Sequence, residues 1–120
     1  MWIPIIGLLF GIGLGFIFPY QVPVIFSKYL SIAVLAAMDS IFGGLRSGLE
    51  DKYNNLIFIT GFFSNAILAA VLAYLGDQLG VELYMAAIFV FGVRIFQNLA
   101  AIRRILVNKY VMFLRSKKIK

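Results

Sequence analysis

Residues 31–53 read SIAVLAAMDSIFGGLRSGLEDKY, and the fold turns on how that stretch is taken. Its first eight residues are small or apolar, Asp39 interrupts them, apolar character resumes through IFGGL, and charge arrives only at Arg46. Read as a helix ending near Arg46, it belongs in hydrocarbon, with a carboxylate well inside it. A charge in that position needs a partner.

The rest of the chain supports the same medium. Of 120 residues, 62% are hydrophobic and 13% charged, outside the range of soluble domains. A soluble protein of this size could not bury so much apolar surface, so composition predicts a single-domain, all-α integral membrane protein. Four spans are expected, at about 2–18, 24–45, 56–75 and 83–103, each near the roughly 20 residues that cross the hydrocarbon. The first is the shortest. PYQVP, with Pro19 and Pro23, should turn the chain after it. RSGLEDKYNN and GDQLGVE form the other two connections. No basic residue precedes the first run and no small-residue cleavage site follows it, so it is expected to be a retained helix.

Charge gives the orientation. Seven of the eleven Lys and Arg lie at or after Arg103, and Arg46 and Lys52 sit in the second connection, whereas PYQVP and GDQLGVE hold none. The positive-inside rule then places both termini in the cytoplasm. Lys28 is the exception, and its stem is long enough to snorkel outward. Tyr20, Tyr74 and Tyr84 fall near the expected outer interface, and Trp2, Tyr53 and Tyr110 near the inner one. The chain divides into a transmembrane domain, 1–104, and a basic tail, 105–120. That tail is expected to extend the last helix and then lie at the lipid surface, against anionic headgroups.

Lipid provides no hydrophobic drive for helix association, so contacts must come from small residues. Gly7, Gly11 and Gly15 form two overlapping GxxxG patterns on one face of the first span; Gly43, Gly44 and Gly48 lie on the second, and Ala66, Ala69, Ala70 and Ala73 on the third. The plainer expectation is that they join this chain's own helices; the alternative is an interface with a second copy. FGIGLGF lacks the spacing and context of a nucleotide-binding loop.

Polar groups cluster in depth. At about 1.5 Å of rise per residue, Asp39 lies roughly 10 Å above Arg46, Arg94 roughly 14 Å above Arg103, Asn65 roughly 15 Å above Asn55, and Asn98 roughly 8 Å above Arg103. Asp39 is the one acid and Arg94 the one base in the interior of any span, away from its ends. Each alone would cost about 2.5–3.5 kcal/mol at mid-helix, so the two are expected to meet, with Asn65 and Asn98 taking up their remaining hydrogen-bonding capacity. Arg94 and Asn98 share a helix face, as do Asp39, Gly43 and Arg46, and Gly43 leaves room for another backbone. Such a pair can specify how helices dock, or line a polar cavity that handles a proton or solute.

Catalysis finds no support. Without histidine or cysteine there is no imidazole base, thiolate or common transition-metal ligand. Ser40 and Ser64 lack a base, GFFSNA is not a nucleophile elbow, and Asp77 lies too far along the helix axis to share a proton with Asp39. Glu50 and Asp51 are a helix-end dipeptide, too few acids for a metal site. VMFL interrupts the basic tail, which argues against nucleic acid. The expectation is a non-enzyme with no cofactor and no metal.

LAAMDSIFGGLRSGLEDKY followed by FITGFFSNAILAAVLAYLGDQLGVELYMAAIFVFGVRIFQNLAAIRR closely resembles the small basic protein family of bacterial membrane proteins, over residues 4–104. DSIFGG, GFFSNA, YLGDQLGV and FGVRIFQN occur together and in order. The resemblance implies a multi-pass protein of the cytoplasmic membrane whose genes lie near cell-division and envelope genes, with membrane-anchored companions and no catalytic residues to carry over. A looser similarity, at the level of fold, is to vitamin-transporter substrate subunits and a rod-shape protein. The leading expectation is therefore a membrane interaction or scaffold protein that binds other membrane proteins or itself. The alternative is a small transporter or ligand-binding subunit with a pocket around Asp39 and Arg94.

Overall fold

The structure is a computed structural model that describes residues 2–18, 20–21 and 23–119. Among these residues the chain forms four helices: α1 (Trp2–Ile17), α2 (Val24–Leu49), α3 (Asn55–Leu79) and α4 (Tyr84–Ile119). Three of them, α2, α3 and α4, are long and apolar enough to cross a membrane. At 16 residues α1 is about 24 Å long, short of the ~30 Å of hydrocarbon, which corrects the expectation that all four runs reach across.

The other helices overrun their expected ends, because hydropathy stops where nothing breaks the helix. RSGL carries no proline, and α2 runs on to Leu49. The lysines, arginines and leucines after Arg103 are good helix formers, so α4 continues without interruption to Ile119, about 54 Å in all. The expected boundary at residue 104 thus lies inside a continuous helix. Pro23 is the N-cap of α2. The other proline expected to turn the chain, Pro19, lies outside the described residues.

The remaining ends have ordinary local causes. Asn54 caps α3, its side-chain oxygen accepting from the amides of Leu56 and Ile57. Gly80, with φ of 71°, closes α3 in the left-handed conformation, and Val81 N–H donates to Gly76 O at 3.0 Å. The chain then passes directly over Gly76: a Cβ there would lie 2.5 Å from Val81 O and 2.9 Å from Leu83 N.

α2 is the central helix. It packs along α3 on one side and α4 on the other, touches α1 lightly, and keeps α3 and α4 largely apart. The core is Ile32 and Ala36 of α2, Ala69 of α3, and Ala87 and Phe91 of α4, with Leu35, Leu72 and Tyr84 against it. Small residues let the helices approach, as expected for Ala69 and Ala73, both buried. Ala70 instead faces outward.

The glycines divide sharply. Gly44 is buried where three elements meet; a Cβ on it would stand 3.1 Å from Phe58 and 3.2 Å from Pro4. Gly43 faces Asn98, whose Nδ2 would lie 3.6 Å from such an atom. For Gly7, Gly11 and Gly15 a Cβ would meet nothing within 4 Å. These three do not hold α1 to its own chain, contrary to the plainer expectation. The buried residue of α1 is Pro4, near its start, so the helix leans on the bundle at one end and leaves its glycine face open.

Candidate functional site

Asp39 is 1% exposed, held among α2, α3 and α4. Its burial follows from helical spacing: Ile32, Ala36 and Asp39 lie at i, i+4 and i+7 on the face of α2 that meets the neighbours. Arg94 of α4 brings Nε to 3.3 Å from Asp39 Oδ1, and Asn65 of α3 donates from Nδ2 to Asp39 Oδ2 at 3.4 Å. Three helices thus meet on one carboxylate.

The contact is unequal. Arg94's side chain is 50% exposed whereas that of Asp39 is fully enclosed, and the Arg94 approach to Oδ1 does not reach hydrogen-bonding geometry, so Oδ1 has no hydrogen-bond partner among the described residues. Asn98 departs from expectation. Its Oδ1 accepts from Arg46 Nη1 at 3.3 Å, and Arg46 Nε also pairs with Glu50 at 3.1 Å. The cause is reach: Asn98 lies one turn from Arg94 toward the 50–54 connection, level with the end of α2 and not with Asp39. Asp39, Asn65 and Arg94 therefore form the cluster, while Asn98 ties α4 to the end of α2.

A cavity of about 240 Å³ adjoins the pair, running between α2 and α3 from Asp39, Asn65 and Arg94 to Lys52 and Asn54 in the 50–54 connection. Ser40 Oγ and Tyr53 OH also line it, both buried and without a hydrogen-bond partner among the described residues. Burial pushes the Tyr53 phenol above its ordinary pKa, so at neutral pH it is an uncharged donor. A second, apolar groove of about 600 Å³ lies between α1, α2 and α3, with Gly7, Gly11, Met38 and Phe62 in its walls. No group of three or more His, Cys, Asp or Glu that could hold a metal ion occurs among the described residues.

One cluster escaped the sequence reading. At the opposite end of the bundle, Lys28 Nζ pairs with Asp77 Oδ1 at 2.5 Å, Tyr29 OH donates to Asp77 Oδ2 at 2.7 Å, and the ammonium lies 4.8 Å from the centre of the Tyr84 ring. Lys28 does not simply reach outward; it joins α2 to α3 and α4. The available signal was the consecutive Lys28–Tyr29 pair at the same end of the bundle as Asp77 in GDQLGVE. Because these groups are partly exposed, Asp77→Asn should bring only a small drop in the thermal unfolding midpoint in detergent. A loss as large as that from breaking the Asp39 pair would show that this end, too, carries the docking.

Comparison with known proteins places this geometry in a family. Residues 22–107 match the family described as "Protein of unknown function (DUF1290)". A Bacillus subtilis protein named "Small basic protein" is 50% identical over 118 residues, 98% of each chain. A Mycobacterium tuberculosis relative, "Uncharacterized protein Rv1824", is 48% identical over 104 residues, 85% of this chain and 86% of its own, and a Mycobacterium bovis relative matches to the same extent. No solved structure matches the chain.

Proposed function

The chain belongs to the DUF1290 family, with the small basic protein of Bacillus subtilis among its relatives, and from that premise we propose that it is a non-catalytic interaction subunit of the bacterial cytoplasmic membrane. In this reading α2, α3 and α4 cross the bilayer, α1 enters it from the same side as the C-terminal end of α4, and both termini face the cytoplasm, where the basic end of α4 meets anionic headgroups. The observation that carries the reading is the open face of α1. Three glycines at i, i+4 and i+8 expose backbone to close approach by another helix, and none of the described residues comes within 4 Å of a Cβ built on them. The partner is another membrane protein or a second copy, within an envelope or division assembly, as the family resemblance suggests.

Crosslinking tests this directly, because the chain has no cysteine. Gly11→Cys, treated with a short bis-maleimide in native membranes, should move from its 13.4 kDa monomer position into a discrete larger species. Adding Gly7→Ala and Gly15→Ala should deplete that species while leaving the thermal midpoint of the purified protein unchanged, since a Cβ at either position meets none of the described residues within 4 Å. Recovery of monomer alone from Gly11→Cys would rule out α1 as the contact.

A ligand-binding subunit is the second reading, and the polar cavity is what favours it. At about 240 Å³ the cavity is smaller than the ~300–1,000 Å³ usual for organic ligands, so vitamin-sized solutes do not fit that reading.

A further inference from the structure

Three buried polar atoms without hydrogen-bond partners, Asp39 Oδ1, Ser40 Oγ and Tyr53 OH, belong to residues that line a single cavity. Left dry, each would carry a desolvation penalty of about 1–3 kcal/mol. Chance packing defects are usually apolar and scattered; here the unsatisfied groups converge. The volume, about 240 Å³, is well above the roughly 10–15 Å³ that one water requires, so several fit. One end is formed by the exposed Lys52 and Asn54 of the 50–54 connection. At the other end, the next turns of α2 beyond Asp39 are Ala36 and Ile32, both fully buried against Ala69 and Phe91, which close the path with apolar contacts.

We propose that this cavity is a water-filled crevice that brings solvent from the 50–54 end of the bundle to the Asp39–Arg94 pair and stops there. It is a site for water, hydronium and small solutes or ions, and not for a vitamin-sized ligand. It also resolves the asymmetry of the pair. A carboxylate fully enclosed by protein, with one oxygen lacking a hydrogen bond, is tolerable when small side-chain motions let water from the adjoining crevice donate to it. The crevice makes Asp39 addressable from one face of the membrane only, which under the orientation proposed above is the cytoplasmic face.

Single cysteines in the otherwise cysteine-free chain test the idea in sealed proteoliposomes, using sulfonatoethyl methanethiosulfonate, an anion that does not cross lipid. Asp51→Cys and Glu82→Cys mark the two ends, and Ile67→Cys, on an outward face of α3 with the isoleucine 63% exposed, marks lipid. Ser40→Cys and Gly61→Cys, both in the crevice wall, should react from the Asp51 side, at least about 100-fold faster than Ile67→Cys, because the reactive thiolate forms only where water reaches. Neither should react from the Glu82 side. If both variants resist the reagent from either side yet react after denaturation in SDS, the crevice is dry and the proposal fails; equal reaction from both sides overturns its one-sidedness. Should Ser40→Cys misfold, Gly61→Cys still decides the matter, since a Cβ there meets nothing within 4 Å. The outcome is independent of whether α1 binds a partner.

Discussion

Arg94→Leu should destabilise the folded protein by about 3–5 kcal/mol, against about 1 kcal/mol for Asp39→Asn, although both changes break the same ion pair. The difference comes from what is left behind. Without Arg94, an enclosed carboxylate keeps the Asn65 amide at 3.4 Å and crevice water but no countercharge, and removing one partner of a buried pair strands the other. Without the charge on Asp39, a half-exposed guanidinium remains beside the polar cavity, where water can solvate it, and the new amide can still hydrogen-bond to Asn65. The measurement is the unfolding midpoint in a mild detergent, or resistance to SDS. Reversing either charge alone, Asp39→Arg or Arg94→Asp, should be at least as damaging as Arg94→Leu, and the swapped double variant should regain part of the loss. Equal losses from Arg94→Leu and Asp39→Asn would mean that the carboxylate is not the stranded group. Absence of any recovery in the double variant would show that the two side chains are not coupled.

Gly76→Ala is the second substitution from which a large effect is expected, about 2–3 kcal/mol. One methyl group would be placed 2.5 Å from Val81 O and 2.9 Å from Leu83 N, and both obstacles are backbone, so no side-chain rotation relieves them. The turn must open, losing the hydrogen bond from Val81 N–H to Gly76 O and loosening the start of α4, on which Arg94 is carried. Gly80→Ala makes the informative comparison. Its Cβ would meet nothing, so it suffers only the left-handed backbone penalty of about 1–2 kcal/mol. If the two alanine variants melt together, the close passage over Gly76 is not what shapes the turn.

Much of this was legible before any coordinates. Asp39 and Arg94 could be paired from sequence because their helix positions are set by counting residues from charged ends, and because each is the one ion of its sign in the interior of the apolar runs. Asn65 was placed by the same depth argument. Asn98 failed it: shared depth and a shared face with Arg94 do not say which residue of the facing helix lies closer, and Arg46, with its longer reach, did. Gly44 and Gly7 look alike as small residues in apolar helices, yet one is pinned under Phe58 and Pro4 and the other faces open space. A GxxxG pattern states that close approach is possible and leaves open what approaches.

The amino-acid order by itself determined the apolar character of the helices, their number and the need for Asp39 and Arg94 to pair, because these depend on local hydropathy, on helical rise and on the cost of an isolated charge among apolar groups, all properties of single segments. Only the tertiary structure decided that α2 is the central helix, that Lys28, Tyr29 and Asp77 clasp the far end, and that unsatisfied hydroxyls converge on a cavity beside Asp39. Those features depend on how one helix is rotated and shifted against another. That relation is set by the sum of many weak contacts across the bundle, and no segment carries it alone.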